Sequence, residues 1–196
     1  TRPLDATGRV MTEPLRRRLF LAVGLEPETR DLIAAHLEAQ GAAGWVDRLV
    51  VPDNWHVTLR FLGWADEAQR DRVLHSLDEA DLPPPFRIRL GSLGAFPKPR
   101  RATVTWIAVE SGTDELERLA VVAEEAALAA GFAPEDRPFH PHLTVGRVRP
   151  PIDVTKRIEQ FEPCRVAMAV EQVTLFESHV GRGGARYEAL DRVPLR

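Results

Sequence analysis

Cysteine is almost missing from this sequence. Cys164 stands alone, which excludes an intramolecular disulfide framework and a zinc site built from several thiolates. It fits best as a small, half-buried core residue. Lysine is nearly as scarce, since all but Lys98 and Lys156 of the 26 basic residues are arginine. Arginine forks suit phosphate, although the same bias also follows from genome base composition. The first ten residues, TRPLDATGRV, hold no apolar run long enough for a signal peptide or a membrane span. Met11 looks like a natural start behind an extension, so residues 1–15 are expected to form a flexible N-terminal extension and the protein to be cytoplasmic, with no membrane partner. A net charge of -3 is too acidic for non-specific coating of duplex nucleic acid, which depends on neutralising many phosphates at once. A phosphate-bearing partner must therefore be held locally.

What the chain does contain is an ordered alternation of strand and helix patterns. RRLFLAVGL predicts a buried strand, and PETRDLIAAHLEAQG a helix with proline near its start, apolar spacing through Leu32, Ile33 and Leu37, and glycine at its end. NWHVTLRFLG predicts a strand, DEAQRDRVLHSLDEA a helix, and FRIRLGSLGAF a strand after the break at Pro83 to Pro85. From residue 102 the order recurs: strand ATVTWIAVE, helix TDELERLAVVAEEAALAAG, strand HPHLTVGRV, a short helix near DVTKRIEQF, and strand RVAMAVEQVTLFES. ARYEALDRVPL closes the chain as a further strand. The period is that of a duplicated lobe and far too long for a solenoid repeat. Two α/β lobes, repeats of roughly 16–96 and 102–180 joined around FPKPRR, are expected to face each other across a groove within one domain over residues 16–196.

Each lobe carries a histidine and a threonine two residues apart on a strand, His56 with Thr58 and His142 with Thr144. Strand side chains alternate between faces, so each pair shares a face, with Val57, Leu59 and Phe61, or Leu143 and Val145, on the other. One such pair would mean little, because a strand histidine is more often structural. Two at matching places in a repeated lobe imply that both imidazoles flank one groove. Imidazole takes or gives a proton near neutrality, so two of them can divide a displacement between general base and general acid. The threonine hydroxyls can hold an anion's oxygens without a metal.

HVTL and HLTV resemble the paired His-x-Thr-x signature of the two-histidine (2H) phosphoesterases. RRLFLAV, NWHVTLRFLG, RPFHPHLTVGR and SHVGRGGARY narrow the resemblance to the bacterial and archaeal RNA 2′,3′-cyclic phosphodiesterases, also called 2′-5′ RNA ligases, over about residues 16–190. The resemblance implies an α/β (α+β) fold of two pseudo-symmetric lobes, each a mainly antiparallel sheet with helices on the outer side, around a central groove carrying the two motifs. It implies hydrolysis of an RNA-terminal 2′,3′-cyclic phosphate to a 2′-phosphate, with 2′-5′ ligation as the reverse activity. His142 would activate water, His56 would protonate the departing 3′ oxygen, and Thr58, Thr144 and Arg147 would hold phosphate. Phe61 would be a base-stacking ring. The implied partner is RNA with a cyclic phosphate end, tRNA fragments included, met by a monomer without cofactor or metal. The alternatives are a non-catalytic RNA-end or phosphate-binding module, and a phosphodiesterase for a small cyclic nucleotide.

Alternation disagrees with parts of this assignment. Arg147 has the parity of Leu143 and Val145 and should point away from the histidines, unless Gly146 breaks the strand with a bulge or turn. Phe61 by parity belongs in the core. Arg60 shares the parity of His56 and Thr58 and either meets RNA or edges the sheet. Tyr187 offers a ring for stacking, Arg182 and Arg186 a contact to phosphate or a strand-edge role. His140 forms HPH with His142, but a zinc site needs further ligands and no HExxH or cysteine pair is present; His140 is expected to be a structural neighbour. His36 and His75 are expected on helix surfaces and His179 in a solvated loop.

Overall fold

The computed structural model describes residues 15–45, 48–182 and 184–196. The expected N-terminal extension, Leu15 excepted, lies outside the described residues. The elements are β1 (Arg17–Gly24), α1 (Pro27–Ala39), β2 (Arg48–Leu49), β3 (His56–Ala65), α2 (Glu67–Glu79), β4 (Phe86–Phe96), β5 (Ala102–Ser111), α3 (Thr113–Ala129), β6 (His142–Ile152), α4 (Thr155–Gln160), β7 (Ala167–Val170), β8 (Gln172–Gly181) and β9 (Gly184–Pro194). Their starts follow local chemistry. Pro27 opens α1, where its missing N–H costs nothing. Asp66 caps α2 by accepting from Gln69 N at 2.8 Å while Gln69 Oε1 accepts from Asp66 N at 3.2 Å, a reciprocal capping box.

The strands form one antiparallel sheet in the order β7-β4-β5-β6-β3-β1-β8-β9, with β2 added to β6. Its midline is the contact of β3 with β6 at Val57 and Leu143. On one side stand β1, β8 and β9, on the other β5, β4 and β7, so the two histidine strands lie back to back at the centre of the fold. The mixed α/β class and antiparallel sheet are those expected.

Strand pairing cuts across the repeats at 16–96 and 102–180. β4, from the first stretch, pairs with β5, and β8, from the second, pairs with β1. RVAMAVEQVTLFES is not one strand either. It divides at Glu171 into β7, at one edge of the sheet, and β8, in the other half. One residue cannot span an open sheet of this width, so the sheet is curled until its ends meet. A buried apolar run signals a strand but not which neighbours bury it, which is why one pattern concealed two strands. β2 has only two residues and no sequence signal of its own.

One core lies between sheet and helices, joining Leu19, Leu21 and Val23 of β1 to Ile33 and Leu37 of α1, Val73 and Leu77 of α2, and Leu116, Leu119 and Ala123 of α3. β1 is buried on both faces, Leu19 through Val23 each showing 2% exposure or less. The face away from the helices therefore carries side chains of its own, Phe20 among them, and these back the groove. Cys164 is buried in the core, and burial raises its thiol pKa. Among the described residues no helix is long and apolar enough to cross a membrane.

Candidate active site

Both histidine strands contain the same irregularity at the same place. On β3, Ala22 faces Thr58 and Leu21 faces Arg60, so Leu59 is an extra residue. On β6, Trp106 faces Thr144 and Thr105 faces Gly146, so Val145 is extra. Each is a β-bulge, in which two residues oppose one and the alternation of faces changes phase. Burial follows the phase change identically: Leu59 and Arg60 are buried in succession, as are Val145 and Gly146, and exposure returns at Phe61 and Arg147.

The bulges settle the disagreement between motif and alternation. Arg147 lies on the groove side, lining one cavity of about 1120 Å³ with His56, Thr58, His142, Thr144, Phe61 and Tyr187. Phe61 is not in the core; it is 55% exposed and occupies on β3 the position that Arg147 occupies on β6. One strand presents a ring where its counterpart presents a cation. Arg60, in contrast, is carried past the bulge to the buried side. Its guanidinium is taken up by Glu124 of α3 and by the Phe61 and Ala133 carbonyls, with Glu135 at 3.7 Å. It borders the cavity with its guanidinium engaged by protein groups, so of the two expectations for Arg60, meeting RNA or edging the sheet, the structure gives it a structural use.

The two imidazoles are held alike. His56 Nδ1 donates to the carbonyl of Asn54 at 2.7 Å, and His142 Nδ1 to the carbonyl of His140 at 2.6 Å. A carbonyl can only accept, so in each neutral ring the proton sits on Nδ1 and Nε2 keeps its lone pair. Rings enclose both. His56 has Phe20 at 4.9 Å and Tyr187 at 5.1 Å, edge to face. His142 has Phe96 at 5.2 Å, His140 at 5.8 Å and Trp106 at 5.9 Å. Burial, opposed by the Asn54 carbonyl and assisted by the charges of His142 and Arg147, pushes the His56 pKa down to about 4. Burial also lowers that of His142, opposed by the His140 carbonyl and assisted by the charges of the His140 ring and Arg147. Each imidazole is thus neutral at pH 7 in the ligand-free protein, and one bound anion would oppose the cause of the shift for both.

His140 also lines the cavity and stacks edge-on with Phe96 and Trp106. Several other residues fall elsewhere. His36, at the end of α1, contacts the Glu162 carbonyl. His179 belongs to β8, not to a loop, and lies 3.2 Å from Glu188. Arg186 is exposed on the side of β9 opposite Tyr187 and lies 3.9 Å from Glu188. Among the described residues no group of three or more His, Cys, Asp or Glu is arranged to hold a metal ion. Asn54, Phe20, Phe96 and Trp106 surround the histidines without having been singled out in the sequence. Only Asn54 left a trace there, standing two residues before His56 as His140 stands before His142.

Known proteins share this architecture. Residues 26–182 match the model of the 2′-5′ RNA ligase superfamily. The RNA 2′,3′-cyclic phosphodiesterase of Escherichia coli is 32% identical over 94% of this chain and 99% of its own length. That of Archaeoglobus fulgidus is 39% identical over 67% of this chain and 73% of its own. The crystal structure of Escherichia coli LigT complexed with 3′-AMP superposes with a TM-score of 0.73 at 28% identity, covering 92% of this chain and 99% of that one. TT0787 of Thermus thermophilus gives 0.74 at 30% identity, covering 91% and 98%. The chain belongs to the 2′-5′ RNA ligase superfamily.

Proposed function

We propose that this protein hydrolyses an RNA-terminal 2′,3′-cyclic phosphate to a 2′-phosphate and a 3′-hydroxyl, using two histidines and no metal. The observation that carries the reading is that both imidazoles line one cavity with Nδ1 engaged by a carbonyl and Nε2 left as a proton acceptor. A module that only bound phosphate would need donors there. Two bare acceptors suit an anion only when one takes up a proton, and that is the state needed for acid-base work. The relatives named RNA 2′,3′-cyclic phosphodiesterase support the same substrate class, as do the LigT complexes with 3′-AMP and with phosphate.

In the proposed reaction the cyclic phosphate lies between the histidines, its non-bridging oxygens on Thr58, Thr144 and Arg147. The substrate's negative charge raises the His56 pKa and brings a proton onto its Nε2. Water attacks phosphorus opposite the 3′ oxygen while His142 Nε2 takes its proton. The bond from phosphorus to the 3′ oxygen breaks, and His56 passes its proton to that oxygen. A 5′-hydroxyl in place of water would form a 2′-5′ linkage through the same groups. Phe61 and Tyr187 line the wall beside the phosphate and offer faces to the terminal base.

The test is incubation with a short RNA ending in a 2′,3′-cyclic phosphate, in excess chelator, followed by identification of the product end. A 2′-phosphate is expected. An unchanged end, a 3′-phosphate, or activity lost on chelation and restored by one added metal would overturn the proposal. Turnover confined to free 2′,3′-cyclic mononucleotides would transfer it to a small-molecule substrate.

A further inference from the structure

The two histidines share a bulge, a carbonyl contact and a set of rings, but the segments that present them are secured differently. His56 follows a turn at Pro52–Asn54 whose last side chain is buried and bonded through both its nitrogen and its oxygen. Asn54 Nδ2 donates to the Ala185 carbonyl at 2.6 Å, and Asn54 Oδ1 accepts from Tyr187 N at 3.3 Å. Both partners are main-chain groups of β9, on either side of Arg186. The same residue's own carbonyl receives His56 Nδ1. One amide side chain therefore ties the end of the last strand to the residue that orients the first histidine, and the ring of Tyr187 closes edge-on over that imidazole.

From this arrangement we infer that Asn54 is a positioning residue: it clasps β9 so that Tyr187 shields His56 from water and the imidazole presents only Nε2 to the groove. The inference rests on the proposed role of His56 for its kinetic consequences, but not for its structural ones. The amide holds main-chain groups of Ala185 and Tyr187, two residues apart on β9, and so fixes the strand at two points. Losing the clasp loosens only the end of the β8–β9 hairpin that extends beyond the pairing with β1, while the Arg70–Asp191 ion pair at 3.1 Å holds β9 to α2 farther along. Water then reaches His56, and its lowered pKa, owed first to burial, moves back toward the ordinary value. The groups facing His56 are Phe20 of β1, Phe176 of β8, Tyr187 of β9, and His142 and Arg147 of β6. The two groups on β6 are left in place by the change, so the shift reports on hydration.

The experiment compares Asn54→Ala and Asn54→Ser with Asp191→Asn, which cuts the ion pair on the same strand away from the site. Asn54→Ser is uncharged and polar and loses the amide donor to Ala185, so it tests the clasp without adding charge beside His56 if the alanine variant folds poorly. On cyclic-phosphate-ended RNA, both Asn54 variants should lose about 10- to 100-fold in kcat, by analogy with groups that orient metal-ligating histidines. KM should change little, and the alkaline limb of the kcat profile should move to higher pH. Asp191→Asn should lower stability without moving that limb. The His56 ring signals, titrated by NMR, should shift to higher pKa in the Asn54 variants whether or not the RNA is turned over. If the parent has no turnover, the reaction assignment fails and the NMR titration alone decides the clasp. An unshifted His56 titration in both Asn54 variants, or an equal shift in Asp191→Asn, overturns the inference.

Discussion

Arg60 and Arg147 carry the same charge and sit on equivalent strands, yet the residues around them give them opposite uses. Arg147 is exposed in the groove beside both histidines, where a planar fork can meet two phosphate oxygens and an ammonium can meet one. Arg147→Lys is therefore expected to lower turnover roughly tenfold or more, one lost charge-assisted contact being worth about 1.5–3 kcal/mol, while thermal stability stays near the parent's. Arg60→Met should do the reverse. It strands Glu124 and the Ala133 carbonyl, and breaking a buried pair from one side costs about 3–5 kcal/mol; the lower figure fits here, because Glu135 is open to water. Urea unfolding and steady-state rates on the two variants separate the cases. His56 gives a third outcome. Its folded pKa lies near 4 and its unfolded value near 6.5, so between those limits the unfolded chain binds the extra proton and stability rises with pH. It is fully present above about pH 6.5 and is lost as pH falls toward 4, by on the order of 3 kcal/mol at one unit per 1.36 kcal/mol. His56→Phe should flatten that part of the stability curve measured by urea titration.

At the scale of elements, the decisive features are the two bulges. Simple alternation places His56 with Thr58 and His142 with Thr144 correctly, because both pairs lie before the extra residue. It fails at Arg60, Phe61 and Arg147, because they lie after it. A bulge leaves no composition signal at Leu59, an ordinary β residue, and only a weak one at Gly146; it is visible in pairing and burial. Helix positions were legible for the opposite reason, since capping by Asp66 and the proline at the start of α1 act within a few residues. The pairings of β4 with β7 and of β1 with β8 join residues far apart in sequence and were not legible. The clasp by Asn54 was hidden for the same reason, its partners on β9 being 131 and 133 positions away.

For the whole molecule, the β3–β6 pairing at Val57 and Leu143 is where the two histidine strands meet. Around it the curled sheet brings two separately coded motifs to one cavity, where burial lowers the pKa of both imidazoles. Binding of phosphate at pH 7 is accordingly expected to take up protons, close to one per site, which calorimetry in buffers of different ionisation enthalpy measures directly. An enthalpy independent of buffer would contradict that coupling. The proposed division of base and acid between His142 and His56 is read out by single-turnover rates of His56→Ala, His142→Ala and the double variant on the same cyclic-phosphate-ended RNA. Each single change should cost about 10²- to 10⁴-fold, with the double variant little slower than the worse single, because groups that act as a unit are not additive. A folded single variant that keeps a rate near the parent's would contradict the account.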